Sequence, residues 1–201
     1  GVARKTFPKV FKLYDLNLAE MRNVLFQVVD NAESHTTMLT LPNADGEMES
    51  FEIVEASNFE PALQKRFPEI RAFSGRGITD KSAMLKISYS PQGIQTMVFR
   101  ANGKSSEFIE PYSADHSVYA VFKKSDRPAN LNWTCSTPEK DLVLGLNDQV
   151  NQQASTARSN GDLKTMRLAQ SVTAEYSNYF GATSSAQVSL VLAAVNATIT
   201  R

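Results

Sequence analysis

The sequence is poor in the features that tie a chain to a ready-made function. Its 21 basic and 21 acidic side chains cancel. A neutral chain offers no electrostatic case for binding nucleic acid or an anionic membrane. No apolar run approaches the roughly 20 residues that cross a bilayer as a helix. The longest, residues 188–195, is short and carries Ser189. A single cysteine, Cys135, excludes an internal disulfide framework. The first five residues hold no apolar stretch of a signal peptide, so the chain is either cytoplasmic or already relieved of its leader.

Catalytic motifs are missing too. A zincin site needs His-Glu-x-x-His, with both imidazoles on one helix face. The chain has only His35 and His116, far apart and each in a polar turn, where both read as exposed loop histidines. There is no Gly-x-Ser-x-Gly elbow for a nucleophile. Gly75-Arg76-Gly77 lacks the third glycine and the lysine of a phosphate loop and reads as a turn needing small residues. The acidic pairs Glu47/Glu49 and Glu52/Glu55 read as solvated strand faces. No catalytic residue is assigned, and a cytoplasmic hydrolase is the least supported reading. The two Asn-x-Thr sequons, at Asn132 and Asn196, occur by chance too often to carry weight.

What remains is ordinary globular material. The chain is 42% hydrophobic and 21% charged over 201 residues, enough to bury a core in one domain, or one domain and a fragment of another. Residues 10–16 alternate as a strand does. Leu18, Met21, Val24, Leu25 and Val28 follow at helical spacing behind Asn17, a fair N-cap. Residues 37–41 and 48–54 are strand-formers joined through Asp45-Gly46, a pair suited to a tight hairpin turn. A short helix is expected over 61–67, a second hairpin over 82–89 and 94–100, and two last strands over 107–110 and 118–123.

From residue 126 the pattern weakens into a polar stretch reaching residue 162, broken by Leu142-Val143-Leu144. Such a segment reads as an exposed linker and a protease target. Order returns with a strand at Met166, Leu168 and Val172, a turn over 178–185, and a helix whose apolar face holds Val188, Leu192, Val195 and Ile199. No C-cap precedes Arg201, so the chain is expected to stop inside a second domain. The fold class is therefore α+β: an antiparallel β-rich module, sandwich- or barrel-like, over 1–125, a linker over 126–162, and a strand and helix over 163–201.

Several segments, in order, resemble the pro-regions of reprolysin-like (metzincin) zinc metallopeptidases of the bacterial secreted type. They are Phe11-Lys12-Leu13 with Leu16-Asn17-Leu18, Leu41-Pro42-Asn43-Ala44-Asp45-Gly46, Phe51-Glu52-Ile53-Val54-Glu55-Ala56-Ser57, Phe67-Pro68-Glu69-Ile70 with Ser74-Gly75-Arg76-Gly77-Ile78, Pro91-Gln92-Gly93-Ile94-Gln95-Thr96-Met97, and Phe108-Ile109-Glu110-Pro111-Tyr112. Leu163 to Ala169, Thr173-Ala174-Glu175-Tyr176 and Ala193 to Arg201 look like the first strand and helix of the catalytic domain.

The resemblance implies a secreted pro-region that keeps the enzyme latent and assists its folding. It implies zinc in the full-length enzyme, with the rest of the catalytic domain and a linker-cleaving activating protease as partners. It makes Cys135 a candidate cysteine-switch zinc ligand, because a thiolate binds zinc strongly. Relatives often carry a cysteine where this chain has Val172, so a disulfide from that strand to Cys135 is unavailable. The residues after Cys135 also differ from the switch signature of animal relatives. The alternative is a standalone β-sandwich module of a cell-surface protein. Its groove would be lined by aromatics such as Phe73, Tyr89, Phe99, Tyr112, Tyr119 and Trp133, whose simpler reading is core packing.

Overall fold

Alternation along the first 125 residues produces eight strands: β1 (Lys12–Asp15), β2 (Thr37–Pro42), β3 (Met48–Glu55), β4 (Arg71–Gly77), β5 (Met84–Ser90), β6 (Gly93–Phe99), β7 (Glu107–Pro111) and β8 (Val118–Lys123). The computed structural model describes residues 8–30, 35–101, 103–126, 173–179 and 184. All eight strands join one sheet in the order β1-β8-β7-β6-β5-β4-β3-β2, with every neighbouring pair antiparallel. β2 to β8 thus form a meander, and β1 lies beside the last strand.

Two short helices lie within this module, α1 (Leu18–Leu25) and α2 (Pro61–Arg66), and a third, α3, spans Ala174–Tyr179. Asn17 caps α1, its side-chain oxygen accepting from the N–H groups of Ala19 and Glu20. Met21 and Leu25 turn inward from α1, and Val28 follows from a closing turn of 3-10 helix. Pro61 opens α2, where its missing N–H matters least. Gly46, at φ +98°, turns the β2–β3 hairpin as its Asp-Gly pair predicts.

The sheet curls into a half-barrel. Residues opposite one another in register share a face, so the inner face can be followed from strand to strand. Its middle is apolar: Phe51 and Ile53 on β3, Phe73 on β4, Leu85 and Ile87 on β5, Ile109 on β7 and Val121 on β8 are all buried. Met21, Leu25 and Val28 complete this core. At its ends the same face turns charged, with Glu49, Arg100 and Glu107 at one end and Glu55 and Arg71 at the other. Among the two readings the sequence left open, sandwich and barrel, a single curled sheet favours the barrel.

β4 differs from the expected turn at Gly75-Arg76-Gly77. These are the last three residues of the strand, pairing with β3 on one side, and Gly75 and Arg76 pair with β5 on the other. Small residues are needed here because neighbours approach closely, not because the chain turns. A Cβ on Gly75 would stand 2.9 Å from Ile53 Cγ2 and 3.2 Å from Leu85 Cβ.

α3 covers Thr173-Ala174-Glu175-Tyr176 apart from its first residue and reaches Tyr179, so residues 178 and 179 are helical where a turn was expected. The expected linker, strand and terminal helix, with Cys135, Trp133, the Val188–Ile199 stripe and both sequons, lie outside the described residues, as does all of residues 127–172. No helix among the described residues is long and apolar enough to cross a membrane.

Candidate functional site

At one end of the half-barrel the period-2 pattern of β6 runs on past the strand. Ile94, Thr96 and Val98 point inward, and Arg100, the next residue of that series, carries its guanidinium into the mouth. Its side chain is only 5% exposed. Nε donates to Glu107 at 3.1 Å, Nη1 to Asp80 at 3.1 Å and Nη2 to Glu49 at 2.7 Å. A planar fork held by three carboxylates from three places in the chain has one orientation. Burial alone would pull the Arg100 pKa down, but the hydrogen bonds to Glu49 and Glu107 outweigh it and raise the pKa further.

The other oxygens of these carboxylates tie in the β2–β3 turn. Glu107 Oε2 accepts from the Ala44 N–H at 3.0 Å, and Glu49 Oε1 accepts from Asn43 Nδ2 at 3.1 Å. Asn43 Oδ1 in turn holds the Glu47 N–H at 2.8 Å. One residue on, Asp45 Oδ1 meets Lys123 Nζ of β8 at 2.6 Å, and its carbonyl oxygen receives Lys12 Nζ of β1. β2 and β3 stand at one end of the strand order and β1 and β8 at the other. The charged mouth is therefore where the two ends of the sheet are fastened together.

The mouth opens on a cavity of about 650 Å³ lined by Asn43, Asp45, Glu47, Thr79, Lys81 and Lys104 besides the residues named above. Arg100 is paired with Glu49, Asp80 and Glu107, and Lys123 with Asp45. Asp45 titrates below the ordinary carboxylate value, chiefly through the hydrogen bond from Lys123 and against the opposing effect of burial. Asp80 is lowered too, first by the Ser82 hydroxyl and backbone N–H and then by Arg100. The Thr79 hydroxyl oxygen accepts from the Ser50 N–H and the Ser105 oxygen from the Ser125 N–H. The Ser82 hydroxyl donates to Asp80 at 2.7 Å, but Asp80 is also bound by Arg100 and its lowered pKa makes it a weak base, so the arrangement holds strands together.

A second, apolar cavity of about 170 Å³ lies within the half-barrel. Its lining comes from both edge strands, with Tyr14 and Asp15 from β1 and Thr40, Leu41 and Pro42 from β2. Its floor is Ile94, Ile109, Tyr119 and Val121.

The structure corrects the reading of the acidic pairs. Glu49 and Glu55 are not solvated: Glu49 holds Arg100, and Glu55 holds the buried Arg71 at 2.8 Å. Arg71 is also bound by Asp30 and the Pro68 carbonyl. Glu52 pairs with Arg76 on the outside. His35 is exposed and His116 half-buried, both in loops, His116 at φ +59°. Of the aromatics considered for a groove, Phe73, Tyr89 and Tyr119 are core residues and Tyr112 is half exposed.

Cys135, the candidate zinc ligand, lies outside the described residues. Among the described residues no group of His, Cys, Asp or Glu is placed to hold a metal ion, so they supply no ligand set for the zinc that the resemblance implies. The role of Arg100 and Arg71 was missed in the sequence. Arg100 could have been found by extending the inward series Ile94, Thr96, Val98 by one more step. Compared with protein families, curated proteins and solved structures, the chain matches none.

Proposed function

We propose that this chain is the pro-region of a secreted zinc metalloendopeptidase of the reprolysin-like type, together with the first part of its catalytic domain. One observation carries the reading. The segments that resemble such pro-regions fall, in order, on successive parts of one sheet. Leu41 to Gly46 is the β2–β3 turn, Phe51 to Ser57 runs along β3, Ser74 to Ile78 is the end of β4, Pro91 to Met97 is the β5–β6 turn with β6, and Phe108 to Tyr112 is β7. A sheet with its own core, whose last strand precedes the polar stretch, suits a body that covers an active-site cleft until the connecting segment is cut.

In this reading the zinc and the catalytic histidines belong to polypeptide beyond Arg201, and Cys135 is the residue of this chain offered as a latency ligand. The decisive test is the coding sequence that follows Arg201. It should contain His-Glu-x-x-His-x-x-Gly-x-x-His, and a frame without that motif ends the proposal. For Cys135, the Cys135→Ala precursor should be active before cleavage and show altered zinc coordination by X-ray absorption. Unchanged latency and coordination would remove the thiol from the mechanism.

A second reading, a standalone β-rich module that binds a ligand, is favoured by the apolar cavity between β1 and β2. It predicts that the chain is stable and monomeric without any further domain.

A further inference from the structure

A curled sheet that stops short of closing leaves a seam between its edge strands. Here the seam is fastened at the charged mouth, where Lys12 reaches the Asp45 carbonyl, and the apolar cavity lies between residues of the same two edges further along. Tyr14 and Leu41 form its walls, with Ile94, Ile109, Tyr119 and Val121 beneath. At about 170 Å³ it is large enough for more than one water, yet a buried water needs two to four polar partners. The lining is chiefly aliphatic and aromatic. The Tyr119 hydroxyl already accepts the Ile94 N–H at 3.3 Å. Apolar cavities of about 150 Å³ stay dry and take up a benzene-sized molecule. The walls of an empty cavity lack dispersion partners on one side, and a hydrocarbon group that fills the space supplies them.

The rim adds a second property. Asp15, exposed at the end of β1, is the single carboxylate or cationic side chain among the lining residues. Its charge disfavours an anionic group at the entrance and favours a cationic one.

We propose that the seam cavity between β1 and β2 binds the alkyl or aryl end of a small amphiphile whose head group is neutral or cationic. The site is independent of the latency role, since it is built from the sheet, α1 and Leu16 between them.

The test uses the full chain, isotope-labelled, titrated at low salt with three probes of equal six-carbon tail and different head: hexanol, hexylammonium and heptanoate. Saturable shifts should appear at the resonances of Tyr14, Leu41, Ile94, Ile109 and Val121 with the first two. Heptanoate should bind about two- to fivefold more weakly than hexylammonium, the range expected for one exposed charge. Asp15→Asn should bring the two charged probes level. Val121→Phe, which fills the cavity from β8, should abolish binding of all three. If that variant does not fold, Leu41→Phe fills it from the opposite edge. Shifts scattered away from the lining, or heptanoate binding as tightly as hexylammonium, would overturn the proposal. So would an extended apolar peptide shifting the β1 and β2 backbone where the three small probes do nothing, because that result assigns the seam to strand addition.

Discussion

Arg100 and Glu49 meet at 2.7 Å although 51 residues separate them, and the contact joins the end of β6 to β3 across the mouth of the half-barrel. The pair is nearly dry, with side chains 5% and 12% exposed. Removing one member of such a group leaves the rest uncompensated. Arg100→Met is expected to leave Glu49, Asp80 and Glu107 facing one another without their cation. The loss should be about 3–5 kcal/mol of folding stability, read from urea denaturation at neutral pH. The deficit should shrink as pH falls and the carboxylates take up protons. A loss below about 1 kcal/mol would mean that the mouth is not a fastening point.

The carboxylates also set an acid limit. The Asp45 and Asp80 pKa values are lowered in the folded protein, and that of Asp115 is lowered to about 2 by the Ser113 and Ser117 hydroxyls and the Ser117 N–H. A depressed folded pKa contributes stability that is fully present above the unfolded value of 3.8 and is lost as pH falls through the folded value. The Lys123 pKa is raised, mainly by its hydrogen bond to Asp45, so its contribution is full below 10.5 and lost as pH rises past the folded value. Stability from these groups should therefore be flat between about pH 4 and 10 and decline outside. NMR titration of the Asp115 carboxyl carbon checks the lower limit directly, and an ordinary midpoint near 3.8 would contradict it.

Tyr119 supplies a hydrogen bond that the sheet cannot. The β6–β7 pairing runs only from Thr96 to Val98 and stops short of Ile94, whose N–H donates to the Tyr119 hydroxyl of β8 at 3.3 Å. Tyr119→Phe should leave that buried N–H without its acceptor and reduce stability by about 1–3 kcal/mol. Gly93→Ala should be at least as damaging, since φ there is +99° and a Cβ would stand 2.5 Å from the same hydroxyl. Thermal denaturation of both variants and of the double variant gives the coupling, which should be non-additive.

Close approach makes β4 intolerant of side chains at its glycines. Gly77→Ala would set a methyl group on the Asp80 carbonyl oxygen, which is backbone and held in the turn by the Ala83 N–H. Gly75→Ala presses on Ile53 and Leu85 instead. Both should destabilise by about 1–3 kcal/mol, with Gly77 the worse because its neighbour is less able to move. Equal tolerance of alanine at both positions in a denaturant series would refute this ranking.

Thr96 offers the opposite outcome. Its hydroxyl is fully buried on the inner face between Ile87 and Ile109 and has no hydrogen-bond partner among the described residues. Thr96→Val keeps the branched shape and removes the unpaired polar atom, so stability should rise by about 1 kcal/mol. A fall of that size would reveal a partner for the hydroxyl.

Local order was readable in the residues themselves. Alternation placed seven of the eight strands, Asn17 the start of α1, Asp45-Gly46 the first hairpin and Pro61 the start of α2, because each rests on interactions within a few residues. β4 was the strand overlooked, since its glycines look like a turn until Ile53 and Leu85 are seen to occupy the space. Glu49 and Glu55 looked solvated for a similar reason: their partners Arg100 and Arg71 lie 51 and 16 residues away.

The sequence by itself determined the β-rich module, the turns of its β2–β3 and β5–β6 hairpins and the lack of a catalytic motif, all properties of short stretches of chain. Only the tertiary structure decided that the strands form one curled sheet, that carboxylates from three regions converge on Arg100, and that an apolar cavity lies between β1 and β2. Such features depend on which distant residues the curl brings face to face, and the period of a strand fixes the face of a residue but not its partner across the barrel.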